Sequence, residues 1–218
     1  MSKIFVWDLP LRLFHWLLVL LVVVSVVSVE IGGNAMQVHM LSGYTILALV
    51  LFRVLWGFFG GTYARFSSFV RSPRAAIDYL RALRRNESPR YLGHNPAGAW
   101  SVLAMLALLL LQALTGLFSN DDIATKGPLA KLVSKALSDR ITGIHHLNVD
   151  LLYVLIALHL AAVAFYHLRK RENLVGPMLT GYRDARPGES VPARGKAWLA
   201  APLFATCALG VYLLIHIA

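Results

Sequence analysis

The sequence predicts an all-α fold: an integral membrane helical bundle with a four-helix core and a fifth, C-terminal transmembrane helix. Three observations lead there. Of 218 residues, 57% are hydrophobic, and mean hydropathy is +0.61. Five apolar runs approach 20 residues, the length needed to cross a bilayer as a helix that satisfies its own backbone. The 21 Lys and Arg also sort by loop, 17 on one side of the predicted spans and 4 on the other. That asymmetry marks the richer side as cytoplasmic, so the net charge of +10 reads as topology rather than as a nucleic-acid surface.

The elements follow in order. The first apolar run, Leu13 to Val29, is longer than a signal-peptide core and no small-x-small cleavage site follows, so it is read as a retained helix. Trp7 and Trp16 suit an interfacial belt. A turn over Glu30 to Val38 contains Gly32, Gly33 and Asn34 and breaks the helix. The second helix spans about His39 to Phe59. A polar connector, Gly60 to Gly98, carries seven arginines. In it, Ser72-Pro73 has the form of an N-cap with proline at the first helical position. Ala75, Ala76, Tyr79, Leu80 and Leu83 then recur at helical spacing, which predicts an amphipathic helix at the membrane surface.

The third helix covers about Ala99 to Phe118. The connector Ser119 to Gly143 holds a short helix at Leu129 to Leu137, and the fourth helix runs from Ile144 to Leu168. A connector over Asn173 to Lys196 leads to the fifth helix, about Ala197 to Ile217. The predicted domain division is a core domain, 1–183, and an added connector and helix, 184–218. The N-terminus falls inside and the C-terminus outside, as expected for a multi-pass protein of a bacterial inner membrane. Cys207 is the single cysteine. It excludes an intrachain disulfide, an iron–sulfur cluster held by this chain alone and a covalent c-type haem.

The fourth helix carries His145, His146, His159 and His167, and an ionisable group inside a span is a functional candidate. His145 and His159 are 14 residues apart, a rotation about 40° short of four turns with a rise of about 21 Å. They share one stripe, one near each membrane surface, while His146 points about 140° away. His15 starts the first helix on the inside, at the depth of His159. His39 starts the second helix on the outside, at the depth of His145. Two bis-imidazole b-type haems follow, ligated by His15 with His159 and by His39 with His145. Six-coordinate haem favours electron transfer over oxygen or substrate chemistry. Gly43, one turn beyond His39, leaves room for a porphyrin. Arg53, on the same face, and Arg12 are candidate partners for haem propionates. His94 and His167 are weaker candidates for a proton path, His146 and Asp150 for the outer interface, and His216 carries no assigned role.

Val6-Trp7-Asp8-Leu9-Pro10 with Arg12, Phe14, His15 and Trp16, then His39 with Gly43-Tyr44 and Arg53 with Trp56-Gly57, form a wider pattern. Gly93-His94-Asn95-Pro96-Ala97-Gly98, Thr115-Gly116, His145-His146 with His159, and Arg171 to Val175 extend it. With these residues the chain resembles the bacterial cytochrome b561 family, and within it the b-type cytochrome subunit of nickel–iron hydrogenases. The resemblance implies a four-helix core with two b haems, and His15, His39, His145 and His159 occupy the matching ligand positions. The fifth helix lies outside that shared core. It would dock a different redox partner or complete the bundle.

The function expected is transmembrane electron transfer between a periplasmic partner, a c-type cytochrome or an oxidoreductase subunit, and the membrane quinone pool, with quinone as substrate. Alternatives are a superoxide:quinone oxidoreductase served by a basic funnel of Lys126, Lys131, Lys135 and Arg140, a membrane anchor subunit, and a histidine-lined transporter.

Overall fold

The computed structural model describes residues 3–185, 189 and 195–217, with the Ile217 side chain outside the description. Arg186 and Arg194 of the charge asymmetry, and part of the connector before the fifth helix, lie outside the described residues. Eight α-helices are present among those described: α1 (Leu9–Ile31), α2 (Met36–Phe59), α3 (Phe66–Phe69), α4 (Pro73–Arg84), α5 (Pro96–Gly116), α6 (Lys135–Leu168), α7 (Val175–Thr180) and α8 (Ala200–Ile217). Five segments, containing α1, α2, α5, α6 and α8, are long and apolar enough to cross a membrane. The molecule is therefore the multi-pass helical bundle that the apolar runs predicted. The chain divides into two compact units, with the division falling inside α1, α2, α5 and α6.

The first unit comprises residues 1–13, 54–105 and 155–200. A small antiparallel ribbon, absent from the helical expectation, pairs β1 (Lys3–Phe5) with β2 (Tyr182–Asp184). Asp8 organises the start of α1. Its Oδ1 accepts from Leu11 N at 2.9 Å, as an N-cap should. The same carboxyl accepts from Trp56 Nε1 at 3.1 Å and from Gly61 N at 3.0 Å. The expected helix after Ser72 is α4. Ser72 Oγ accepts from Ala75 N at 3.3 Å, and Pro73 stands where its missing N–H costs nothing. Ala76 and Tyr79 are buried and Leu80 is exposed, so the inward stripe is narrower than the spacing suggested. Asn95 caps α5 through Gly98 N at 2.8 Å, which starts that helix three residues ahead of the expected Ala99. Beyond α6, Arg183 bridges Glu172 at 2.7 Å and the Tyr91 carbonyl at 2.6 Å, tying β2 to the arginine-rich connector.

The second unit comprises residues 14–53, 106–154 and 201–218. Gly32 and Gly33, at φ 66° and 55°, turn the chain between α1 and α2 in a region where a side chain would be strained. The core joins Leu47 and Ala48 of α2, Leu117 and Leu129 beside α5, and Val211 of α8. Phe52 meets Phe204 of α8 edge to face, centroids 6.0 Å apart. Helix α8 thus packs on α2 and completes the core of this unit.

One expected boundary is corrected. The short helix at Leu129 to Leu137 is instead a 3-10 turn, Ala130–Leu132. Helix α6 begins at Lys135, nine residues before Ile144. Ser134 Oγ accepts from Leu137 N at 3.3 Å and starts the helix. Lys135 pairs with Asp139 at 2.8 Å one turn on, and no proline intervenes before His145. The 34-residue helix is about 51 Å long, well beyond the ~30 Å hydrocarbon thickness of a bilayer.

The loop before α6 is folded on Asp121, whose Oδ1 accepts from the backbone N–H of Ile123, Ala124 and Thr125 at 2.8 to 2.9 Å. These bonds, that from Ile123 foremost, lower its pKa to about 2. A carboxyl with a depressed folded pKa stabilises its fold above the unfolded value of ~3.9 and loses that contribution as pH falls through the folded one. Amide hydrogen exchange at Ile123, Ala124 and Thr125 is therefore expected to accelerate, relative to neighbouring amides, as pH is lowered from about 4 to about 2. A flat ratio across that window would contradict the assignment.

Candidate functional site

Of the predicted ligands, His39 and His145 come together within the second unit. Their ring centroids are 6.4 Å apart with an interplanar angle of 81°. His39 sits in the first turn of α2, where its Nδ1–H donates to the Ser25 carbonyl of α1 at 2.9 Å. Because that acceptor is a carbonyl, Nδ1 carries the proton and Nε2 keeps its lone pair. His145 sits on α6 against α5. Its Nδ1 lies 3.0 Å from Thr115 Oγ1 and its Nε2 lies 3.0 Å from Gln112 Nε2. Gln112 is held in turn by Asn148, one turn along α6, whose Nδ2 donates to Gln112 Oε1 at 2.6 Å and to the Leu108 carbonyl at 2.9 Å. Asn148 is 2% exposed and Thr115 is buried, while His145 and Gln112 are partly buried.

The other predicted residues are placed as follows. Gly43 has nothing within 4 Å of where a Cβ would stand, which is open space beside His39. Arg53 belongs to the same unit and is 2% exposed. His15 is on α1 in the second unit, edge-on to Trp16 with centroids 5.0 Å apart. His159 is on α6 in the first unit, half-buried. Arg12 belongs to the first unit, where Nη1 donates to the Thr180 carbonyl at 3.1 Å. His94 is packed between Trp7 and Phe69, with centroids at 4.9 and 4.6 Å. His146, Asp150 and His167 are exposed. His216 is exposed and stacks on Tyr212. Within the proposed basic funnel, Lys135 is bound to Asp122 at 2.5 Å and to Asp139, which reduces its net field.

Four residues of this site were not singled out from the sequence: Ser25, Gln112, Asn148 and the hydroxyl function of Thr115. The available signal was polarity inside apolar helices. Gln112 interrupts a run of leucines, and a polar side chain within a span seeks a partner on another helix. A second polar set sits in the first unit, two turns beyond His159 on α6. Tyr166 Oη lies 2.5 Å from Tyr79 Oη and accepts from Asn95 Nδ2 at 3.0 Å.

Were His39 and His145 to bind one iron, they would supply two of its ligands, and a tetrapyrrole would have to supply the rest. Metal–nitrogen bonds of about 2 Å on either side of one ion place two imidazole centroids about 6 Å apart, close to the separation of His39 and His145. The open space at Gly43 and the unprotonated Nε2 of His39 would suit the same group. His145 Nε2 faces the Gln112 amide at 3.0 Å, which would have to turn aside before that nitrogen could bind iron.

The family model described as prokaryotic cytochrome b561 matches residues 6–181. The chain belongs to this family. Similar proteins include two described as "Probable Ni/Fe-hydrogenase B-type cytochrome subunit". The one from Azotobacter chroococcum mcd 1 is 27% identical, over 85% of this chain and 92% of its own length. The one from Rhodobacter capsulatus, with the same description, is 22% identical over 84% and 82%. No solved structure matches the chain. As a prokaryotic b561-family cytochrome, the protein is a multi-pass membrane haem-b protein of electron transport.

Proposed function

We propose that this b561-family cytochrome carries electrons across the bacterial inner membrane through two b haems. They connect a periplasmic oxidoreductase or c-type cytochrome with the quinone pool. One haem is held by His39 and His145 near the periplasmic face, the other by His15 and His159 toward the cytoplasm, with Arg53 and Arg12 beside the propionates. Residues 1–183 form the di-haem domain, to which 184–218 add a connector and helix. The carrying observation is the apposition of His39 and His145 in one unit, each with its Nδ1 anchored on another helix. The 14-residue stripe from His145 to His159 supports a second site on the same helix. The description of similar proteins as hydrogenase cytochrome subunits supports a hydrogenase-type oxidoreductase as the partner.

The haems supply reversible one-electron chemistry. The chain's own work is to hold ligands at fixed separation, exclude water and orient the imidazoles. The ring anchors at Ser25 and Thr115 restrict rotation and so limit reorganisation between oxidation states. The Tyr79, Tyr166 and Asn95 set, with hydroxyl and amide donors two turns from His159, supports placing the quinone headgroup at the cytoplasmic end, where its carbonyls would need hydrogen-bond donors. The purified chain is expected to show two haems b in a pyridine haemochrome assay. In liposomes, it is expected to pass electrons from external dithionite to enclosed ferricyanide. One haem per chain, or no transfer beyond that of empty liposomes, would overturn the reading.

A further inference from the structure

We propose that Thr115 is the positioning residue of His145: its hydroxyl oxygen accepts a hydrogen bond from Nδ1–H, fixes the ring's tautomer and plane, and sets the electron density that Nε2 offers to iron. The inference rests on His145 being an axial ligand. Two backbone carbonyls, whose role as acceptors is unambiguous, decide where the protons lie. Thr115 Oγ1–H has the Leu111 carbonyl at 2.7 Å and the Gln112 carbonyl at 3.0 Å. The single hydroxyl proton is used there, so toward His145 the oxygen can only accept, and Nδ1 must carry the proton. On the opposite side, the Leu108 carbonyl orients the Asn148 amide as donor. That orients Gln112 Oε1 as acceptor and its NH2 toward His145 Nε2, which must then bear the lone pair. Two independent chains of hydrogen bonds demand the same tautomer.

The close approach is built into α5. A Cβ at Gly116 would stand 3.2 Å from His145 Cε1, so the glycine lets the ring reach Thr115. An acceptor on the distal N–H raises the basicity of a ligating imidazole and favours ferric iron. The equivalent bond of His39 goes to the Ser25 carbonyl at 2.9 Å, with the Ser25 hydroxyl a further contact at 3.1 Å. On His145 the Thr115 hydroxyl is the Nδ1 partner.

The test uses the full-length, haem-loaded protein as wild type, Thr115→Val, Thr115→Ser and His145→Ala. Potentiometric titration, low-spin ferric EPR and haem counting are the readouts. Thr115→Val is expected to shift the ferric-to-ferrous balance of one haem about tenfold toward ferrous, a midpoint about 59 mV higher for one electron. It is expected to weaken retention of that haem about tenfold and to move its EPR g values. The other haem stays unchanged, and Thr115→Ser restores wild-type behaviour. The inference is overturned if Thr115→Val leaves midpoint and EPR alone, if both haems move together, or if serine does not restore them. Should the valine variant fail to accumulate, Thr115→Ala carries the same readouts against Thr115→Ser. If His145→Ala retains both haems, the ligand reading itself fails. If it loses one while Thr115→Val is silent, only the positioning role fails.

Discussion

Alanine at His39 and alanine at His145 are each expected to remove the same haem, leaving one per chain. Alanine at His15 and at His159 are each expected to remove the other. The effect is near all-or-none because a bis-imidazole iron that loses one axial ligand loses both a bond and the partner that held the porphyrin plane. The His39/His145 double variant should look like either single variant, since both disable one site. Haem count per chain, with the α-band spectrum of the surviving haem, reads this directly. A double variant with no haem, or a His39→Ala protein that keeps two, would contradict the assignment. The helices need not collapse when a haem leaves. The α2–α8 core, with Leu47, Ala48, Phe52 and Val211, uses the α2 surface and not the histidine.

The second large effect lies at Asp8. Its carboxyl receives Leu11 N–H, Trp56 Nε1–H and Gly61 N–H, and Asp8 itself is 7% exposed. Alanine leaves three donors without this acceptor and removes the α1 cap. At roughly 1–3 kcal/mol for each buried group left unsatisfied and about 1 kcal/mol for the cap, the loss is on the order of 3 kcal/mol or more. Asparagine at this position would keep one acceptor oxygen and should fall between the two. Thermal unfolding in detergent, followed by Trp fluorescence, tests the order wild type, Asp8→Asn, Asp8→Ala. Equal midpoints for Asp8→Ala and wild type would show that the Trp56 and Gly61 contacts are dispensable.

Helix α6 marks the point where local sequence pattern stops being enough. Its apolar stretch and the His145–His159 stripe were readable from composition and a 3.6-residue period. Its start was not, because Lys135 to Gly143 is polar and looks like a connector. Those residues are helical because Ser134 starts the helix and because Asn120, folded back from the loop, donates to Ser138 Oγ at 2.6 Å and Asp139 Oδ1 at 3.0 Å. The fifth helix was visible as an apolar run, yet its place against α2 was open between a partner-docking and a bundle-completing role. In the second unit one face of α8, with Phe204 and Val211, packs against α2, while Leu209, Tyr212 and Leu213 remain exposed.

The chain's own residue order determines the five spans, the all-helical class, the cap at Ser72, and the spacing that puts two histidines on one face of α6. Each of these depends on a period or a cap within a few turns of one helix. Only the tertiary structure decides that His39 faces His145, that Ser25 anchors one ring, and that Thr115, Gln112 and Asn148 surround the other. Those contacts depend on which faces of separate helices meet, and at what height, which no single helix's sequence contains.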